Sequence, residues 1–121
     1  RRVLFRSRVE LRCPDPAANP YLVLAVCLEA GLDGIRNQIT PPDAVTENVF
    51  EMQLQQRAKL GIESLPGDLE QAVEELEKDD YIKNVLGGHI TEKYLEAKRA
   101  EWADYRAQVT EWEIEKYLYK I

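Results

Sequence analysis

Arg8-Val9-Glu10-Leu11-Arg12 is the segment of this sequence whose residue types and spacing could do chemistry. If the segment is extended, Arg8, Glu10 and Arg12 share one face at successive distances of about 6.6 Å, while Val9 and Leu11 point the other way, toward a core. Two guanidinium groups then flank one carboxylate. Arginines suit the paired oxygens of phosphates and carboxylates, and a carboxylate can hold a divalent cation that bridges the same anions. Those are the demands of phosphoryl transfer. Spacing alone equally describes a solvated strand face with alternating charges, which is common and carries little energy.

The elements that must position this segment announce themselves through turn and capping residues. Pro14 and Pro16 end the strand at Cys13, and Asp15 to Pro20 is turn chemistry in which Asn19 can cap a helix and Pro20 suits its first turn. A helix is predicted from about Pro20 to Asn37. Its Leu22, Leu24, Val26, Cys27, Leu28 and Leu32 are apolar nearly all round, as in a helix buried centrally in a larger body. Gly31 and Gly34 read as close packing or a loosening helix end, because a phosphate loop needs a strand before its glycines. From Thr40 to about Met52 a long connection carries Pro41, Pro42, Asp43 and Asn48, and connections of this kind often carry function. A short helix is predicted around Gln53 to Leu60, closed by Gly61. Pro66-Gly67-Asp68 makes a turn and cap, after which Leu69, Val73 and Leu76 follow helical spacing. Gly87-Gly88 breaks the chain before a helix from about His89 to Val109 with an apolar stripe of Ile90, Tyr94, Trp102, Tyr105 and Val109.

Seven acidic residues between Asp68 and Asp80 read as a solvated helix face rather than a metal site. His89 is the single histidine and has no cysteine or carboxylate pair at ligand spacing, so it reads as an ordinary helix-start residue. Beyond Thr110 the tail concentrates Trp112, Ile114, Tyr117, Leu118, Tyr119 and Ile121, an apolar terminus that calls for a surface to dock on.

Composition narrows the function classes. With 121 residues the chain is one domain at most. Hydrophobic residues at 45% and charged residues at 31% are globular proportions, which argues against wholesale disorder. Sixteen basic against 22 acidic side chains give a net charge of -6, unfavourable for electrostatic nucleic-acid binding. The longest apolar run, Tyr21 to Leu28, falls short of the ~20 residues a membrane span needs. Two cysteines, one of them inside the apolar helix, speak against a disulfide framework and for a reducing, cytoplasmic location. Arg1 to Ser7 has neither helix nor strand period, and its codons can spell the end of a common sequencing-library adapter. Residues 1–7 are therefore expected to be a non-native leader, with the domain starting at Arg8.

Order and spacing go further than composition. Arg8-Val9-Glu10-Leu11-Arg12, then Pro14 to Leu22, then Ala30 to Ile35, closely resemble type I glutamine synthetase. The resemblance continues through Pro41-Pro42, Asn48 to Met52, Leu65-Pro66, Leu86-Gly87 with His89, Glu101-Trp102, Tyr105-Arg106 with Gln108-Val109, and Trp112-Glu113 to Tyr117. It implies an α+β, mainly α-helical fragment: one N-terminal strand followed by about five helices. Residues 8–121 would be the C-terminal part of the catalytic domain, ending in a helical arm at 110–121.

The resemblance also implies a chemistry, the ATP-dependent ligation of ammonia to L-glutamate through a γ-glutamyl phosphate, with Mg2+ or Mn2+ neutralising the crowded oxygens. By position, Glu10 matches a metal ligand at the nucleotide phosphates. Arg12 matches an arginine that contacts glutamate and the transferred phosphoryl group, and Arg8 one that faces the nucleotide phosphates. The arm would dock on a subunit of the facing ring in a dodecamer of two hexamers. Some family members are adenylylated on a tyrosine in the loop matching Asn48 to Met52; Phe50 stands there and lacks the hydroxyl, so that modification is expected to be absent. The chain alone is expected to be inactive and prone to aggregate, since other ligands and covering strands belong to further sequence. The competing reading is a non-enzymatic, acidic, helical protein-interaction module whose aromatic tail binds a partner. It gives no reason for R-x-E-x-R to precede the D-P-A-A-N-P-Y turn.

Overall fold

Cap by cap, the predicted turns become helix ends. The structure is a computed structural model that describes residues 10–118, and its regular elements there are all helical. Its contacts divide the chain into two units, one ending at Ile39 and one starting at Thr40.

In the first unit, α1 runs from Pro20 to Arg36. Asn19 Oδ1 accepts from the backbone N–H of Tyr21 at 3.0 Å, and Pro20 occupies the position whose missing N–H has no helical partner anyway. The helix closes in a Schellman motif: Ile39 N donates to Gly34 O at 2.9 Å and Gln38 N to Ile35 O at 3.3 Å. That motif needs a left-handed residue, and Gln38 adopts it at φ 51. No residue of α1 is buried in this chain, and Tyr21, Leu24, Leu28 and Ile35 are exposed. The apolar surface expected inside a larger body is thus open here. The space around Gly31 and Gly34 is open too, with nothing within 4 Å of an added Cβ.

The strand expected over Arg8 to Cys13 is not found in its described part. Glu10 to Cys13 have no regular secondary structure, while Arg8 and Val9 lie outside the described residues. The expected α+β class is therefore corrected to a helical one among the described residues. Alternation tells which way a strand's side chains would face. A strand exists only where a neighbour pairs with its N–H and C=O groups, and no described segment does so. Leu11, expected on the core side, is 53% exposed.

In the second unit, α2 (Leu54–Lys59) ends in the same Schellman motif, this time with Gly61 at φ 65 in the left-handed position. Asp68 caps α3 (Leu69–Lys78), accepting from Gln71 N at 2.8 Å. The acidic run then breaks without a glycine or proline: Asp79 ends α3 and caps α4 (Asp80–Leu86) by accepting from Ile82 N at 3.0 Å. Gly87, at φ 80, turns the chain into α5 (Gly88–Arg106). Helices α3, α4 and α5 pack on one another. Val73 is buried in this cluster, and Thr91 Oγ1 donates to Lys83 O at 3.2 Å. Lys83 Nζ reaches Glu77 O at 2.6 Å, and Arg99 pairs with Glu77 across α3 and α5. A three-residue turn, α6 (Glu111–Glu113), is capped by Thr110 and passes into a π-helical turn, Ile114–Leu118. Among the described residues, no helix is long and apolar enough to cross a membrane.

Candidate active-site segment

Two of the three charged groups singled out by spacing lie within the described residues, and they meet. Arg12 Nε donates to Glu10 Oε1 at 2.5 Å, and Nη2 reaches the same oxygen at 2.5 Å. The Glu10 side chain is 50% exposed and the Arg12 side chain 86%, so the pair stands open to solvent. Arg8 lies outside the described residues. Immediately downstream, Asp15 holds the turn into α1: its Oδ1 accepts from Ala17 N at 2.7 Å and its carbonyl from Ala18 N at 3.0 Å. The charged segment is thus joined to the start of α1 by a turn fixed through its own side chains.

The segment offers a cation one half-exposed carboxylate, a hard oxygen donor suited to Mg2+ or Mn2+. Among the described residues no group of three or more His, Cys, Asp or Glu side chains could hold a metal ion. The described residues by themselves assemble no site for such an ion.

The connection before α2 is built around Asn48. Its Oδ1 accepts from Phe50 N at 3.2 Å and its Nδ2 donates to Glu51 Oε1 at 2.8 Å, while Met52 N reaches Val49 O at 3.3 Å. Met52 is buried, and Phe50 is carried outward at the tip, 94% exposed. Two polar atoms that the sequence did not single out are buried without a partner, Arg57 Nε and Trp102 Nε1. Nothing in local spacing marks either one.

Three ionisable groups outside the charged segment are shifted by their neighbours. A hydrogen bond from Lys83 holds Asp80 below the ordinary aspartate range, and the Thr110 backbone N–H does the same for Glu113. A hydrogen bond to Glu75 pushes Lys78 upward. All three serve helix ends or i,i+3 pairs.

Residues 5–117 match the family model of the glutamine synthetase catalytic domain, and the chain belongs to that family. The match begins inside the 1–7 segment. Among curated relatives, the chain is 52% identical over 113 residues to glutamine synthetase of Thermotoga maritima, covering 93% of this chain and 26% of that protein. It is 51% identical over 112 residues to glutamine synthetase of Methanocaldococcus jannaschii, covering 93% and 25%. A solved structure described as apo GmaS without ligand superposes with a TM-score of 0.75 at 42% identity, over 89% of this chain and 24% of that one. The chain spans about a quarter of the length of these relatives.

Proposed function

We propose that this chain is part of an ATP-dependent ligase that forms L-glutamine from L-glutamate and ammonia. The observation that carries the reading is its identity of about half, over more than nine-tenths of its residues, to proteins named glutamine synthetase. In the proposed reaction ATP phosphorylates the glutamate side-chain carboxylate and releases ADP. Ammonia then attacks the resulting acyl phosphate, its nitrogen bonds to the carbonyl carbon, and phosphate leaves, taking up the proton that the nitrogen loses.

Each charged group has a task in that sequence. Arg12 carries a planar fork of donors that matches both the glutamate carboxylate and the phosphoryl oxygens, so it orients the substrate and offsets charge as the phosphoryl group moves. Arg8 is given the nucleotide phosphates through its match to the corresponding family arginine. Glu10 would be one ligand of a divalent ion, Mg2+ or Mn2+, which would supply positive charge to offset the oxygens during phosphoryl transfer. The tail after Thr110, with exposed Trp112, Tyr117 and Leu118, is an arm that docks on another subunit of a dodecamer. A cytoplasmic location suits the two free thiols, Cys13 and Cys27.

The test is Glu10→Gln in a full-length protein carrying this segment. Glutamine formation is expected to fall by more than about 100-fold, since losing a ligand should cost more than the 10- to 100-fold typical of its supporting partners. Unchanged glutamine formation would overturn the assignment. The interaction-module reading predicts that unchanged rate.

A further inference from the structure

A relay of short-range hydrogen bonds runs from the end of the charged segment into α1. Asp15 makes the first links, its Oδ1 accepting from Ala17 N at 2.7 Å and its carbonyl from Ala18 N at 3.0 Å. Asn19 makes the next, its Oδ1 accepting from Tyr21 N at 3.0 Å and its carbonyl from Val23 N at 3.0 Å, inside the helix. Pro14, Pro16 and Pro20 fix φ beside these links, so little backbone freedom is left between Cys13 and the first turn of α1. The Asp15 side chain closes the first turn, because an aspartate oxygen that accepts two residues on takes the place of a backbone carbonyl.

We propose that Asp15 is a positioning residue for the ligase reaction, acting through the direction it gives the backbone between Arg12 and α1. The proposal rests on the role given to Arg12 above and adds a residue that serves it. Cys13 and Pro14 are all that separates Arg12 from Asp15, so a change of direction at Asp15 reaches Arg12 over at most about 11 Å of chain. A guanidinium that must meet a carboxylate and a phosphoryl group in the transition state tolerates little displacement. Asp15 itself touches no reactant in this role. Its acceptor oxygen matters and its charge does not, since the atom it holds is a neutral backbone N–H.

The experiment compares steady-state glutamine formation by full-length proteins carrying this segment, well below their melting temperatures. Asp15→Asn keeps the acceptor and drops the charge, Asp15→Ser keeps a weaker acceptor, and Asp15→Ala removes it. The kcat is expected to stay close to wild type in Asp15→Asn, to be intermediate in Asp15→Ser, and to fall at least about tenfold in Asp15→Ala, because displacement by about 1 Å costs up to about 100-fold. Asn19→Ala is the control for stability: it removes the cap of α1, a bond of similar strength, leaves the Asp15 turn in place and should keep kcat near wild type. A smaller loss in Asp15→Ala overturns the proposal. So does an equal loss in Asn19→Ala, which would mean general loosening, or an Asp15→Asn variant as slow as Asp15→Ala, which would give the role to the charge. Where Asp15→Ala fails to fold, the order of Asp15→Asn over Asp15→Ser decides in its place. Arg12→Gln separates failure of the underlying reading: wild-type glutamine formation in that variant removes Arg12 from the site and the proposal with it, whereas a slow Arg12→Gln beside a fast Asp15→Ala overturns the positioning role alone.

Discussion

Separating the chain from the rest of a catalytic domain is a perturbation whose size the structure gives. Its surface is 11455 Å², whereas a compact monomer of 14.0 kDa would expose about 6,700 Å². Relative to an extended chain of about 20,300 Å², it hides roughly 44%, below the ~60% that even a 60-residue domain achieves. The excess is apolar where it matters: Tyr21 is 82% exposed, Leu54 79% and Ile35 75%, and only Met52 and Val73 form a buried hydrophobic core among the described residues. The isolated chain is therefore expected to bind a hydrophobic dye, to sediment as concentration-dependent oligomers and to melt without a cooperative transition. Helicity should persist best in α3 to α5, where packing is densest. A sharp, concentration-independent melt of a dye-silent monomer would refute this reasoning.

Four further outcomes follow from particular contacts. Gln38→Gly should strengthen the end of α1 by up to about 1 kcal/mol, because the left-handed position suits glycine, and the gain should appear as slower amide exchange in the last turn. Thr91→Val removes the bond from Thr91 Oγ1 to Lys83 O, which keeps its bond from the Gly87 N–H; a loss of up to about 1 kcal/mol should speed amide exchange in α4 and α5 by up to roughly fivefold. The lowered pKa of Asp80 and Glu113 means that the folded form binds protons less readily than the unfolded one. Their contribution is therefore present above the ordinary carboxylate range and lost as pH falls through the depressed values, which a carboxyl NMR titration will follow; Thr110→Ala should return Glu113 toward its ordinary value. Mass spectrometry of the protein should find no AMP on the Asn48 to Met52 loop, and an AMP increment there would contradict the reading of Phe50.

The parts of the fold legible in the sequence were those decided within a few residues. Asn19-Pro20, Gly61 and Asp68 mark helix ends because a cap is a local hydrogen bond made by a recognisable side chain. The division at Asp79 was not legible, since an acidic run reads as one continuous solvated face and an aspartate both ends and starts a helix without a glycine or proline beside it. The strand at Arg8 to Cys13 failed for the opposite reason: alternation is local, but pairing depends on a distant segment. The same holds for α1, whose pattern announces burial without saying by what. Within the charged segment, spacing brought Glu10 and Arg12 to one side and could not reveal that they would hold each other.

Asp79 is a corner made by one side chain. If Asp79→Ala deletes the cap, at a cost of about 1 kcal/mol, the backbone from Leu69 to Leu86 is at liberty to run on as a single straight rod. The return path that brings α5 back against α3 would then be lost. A lone carboxylate thus acts as a joiner's mitre, setting the angle at which this part of the polypeptide doubles back on itself.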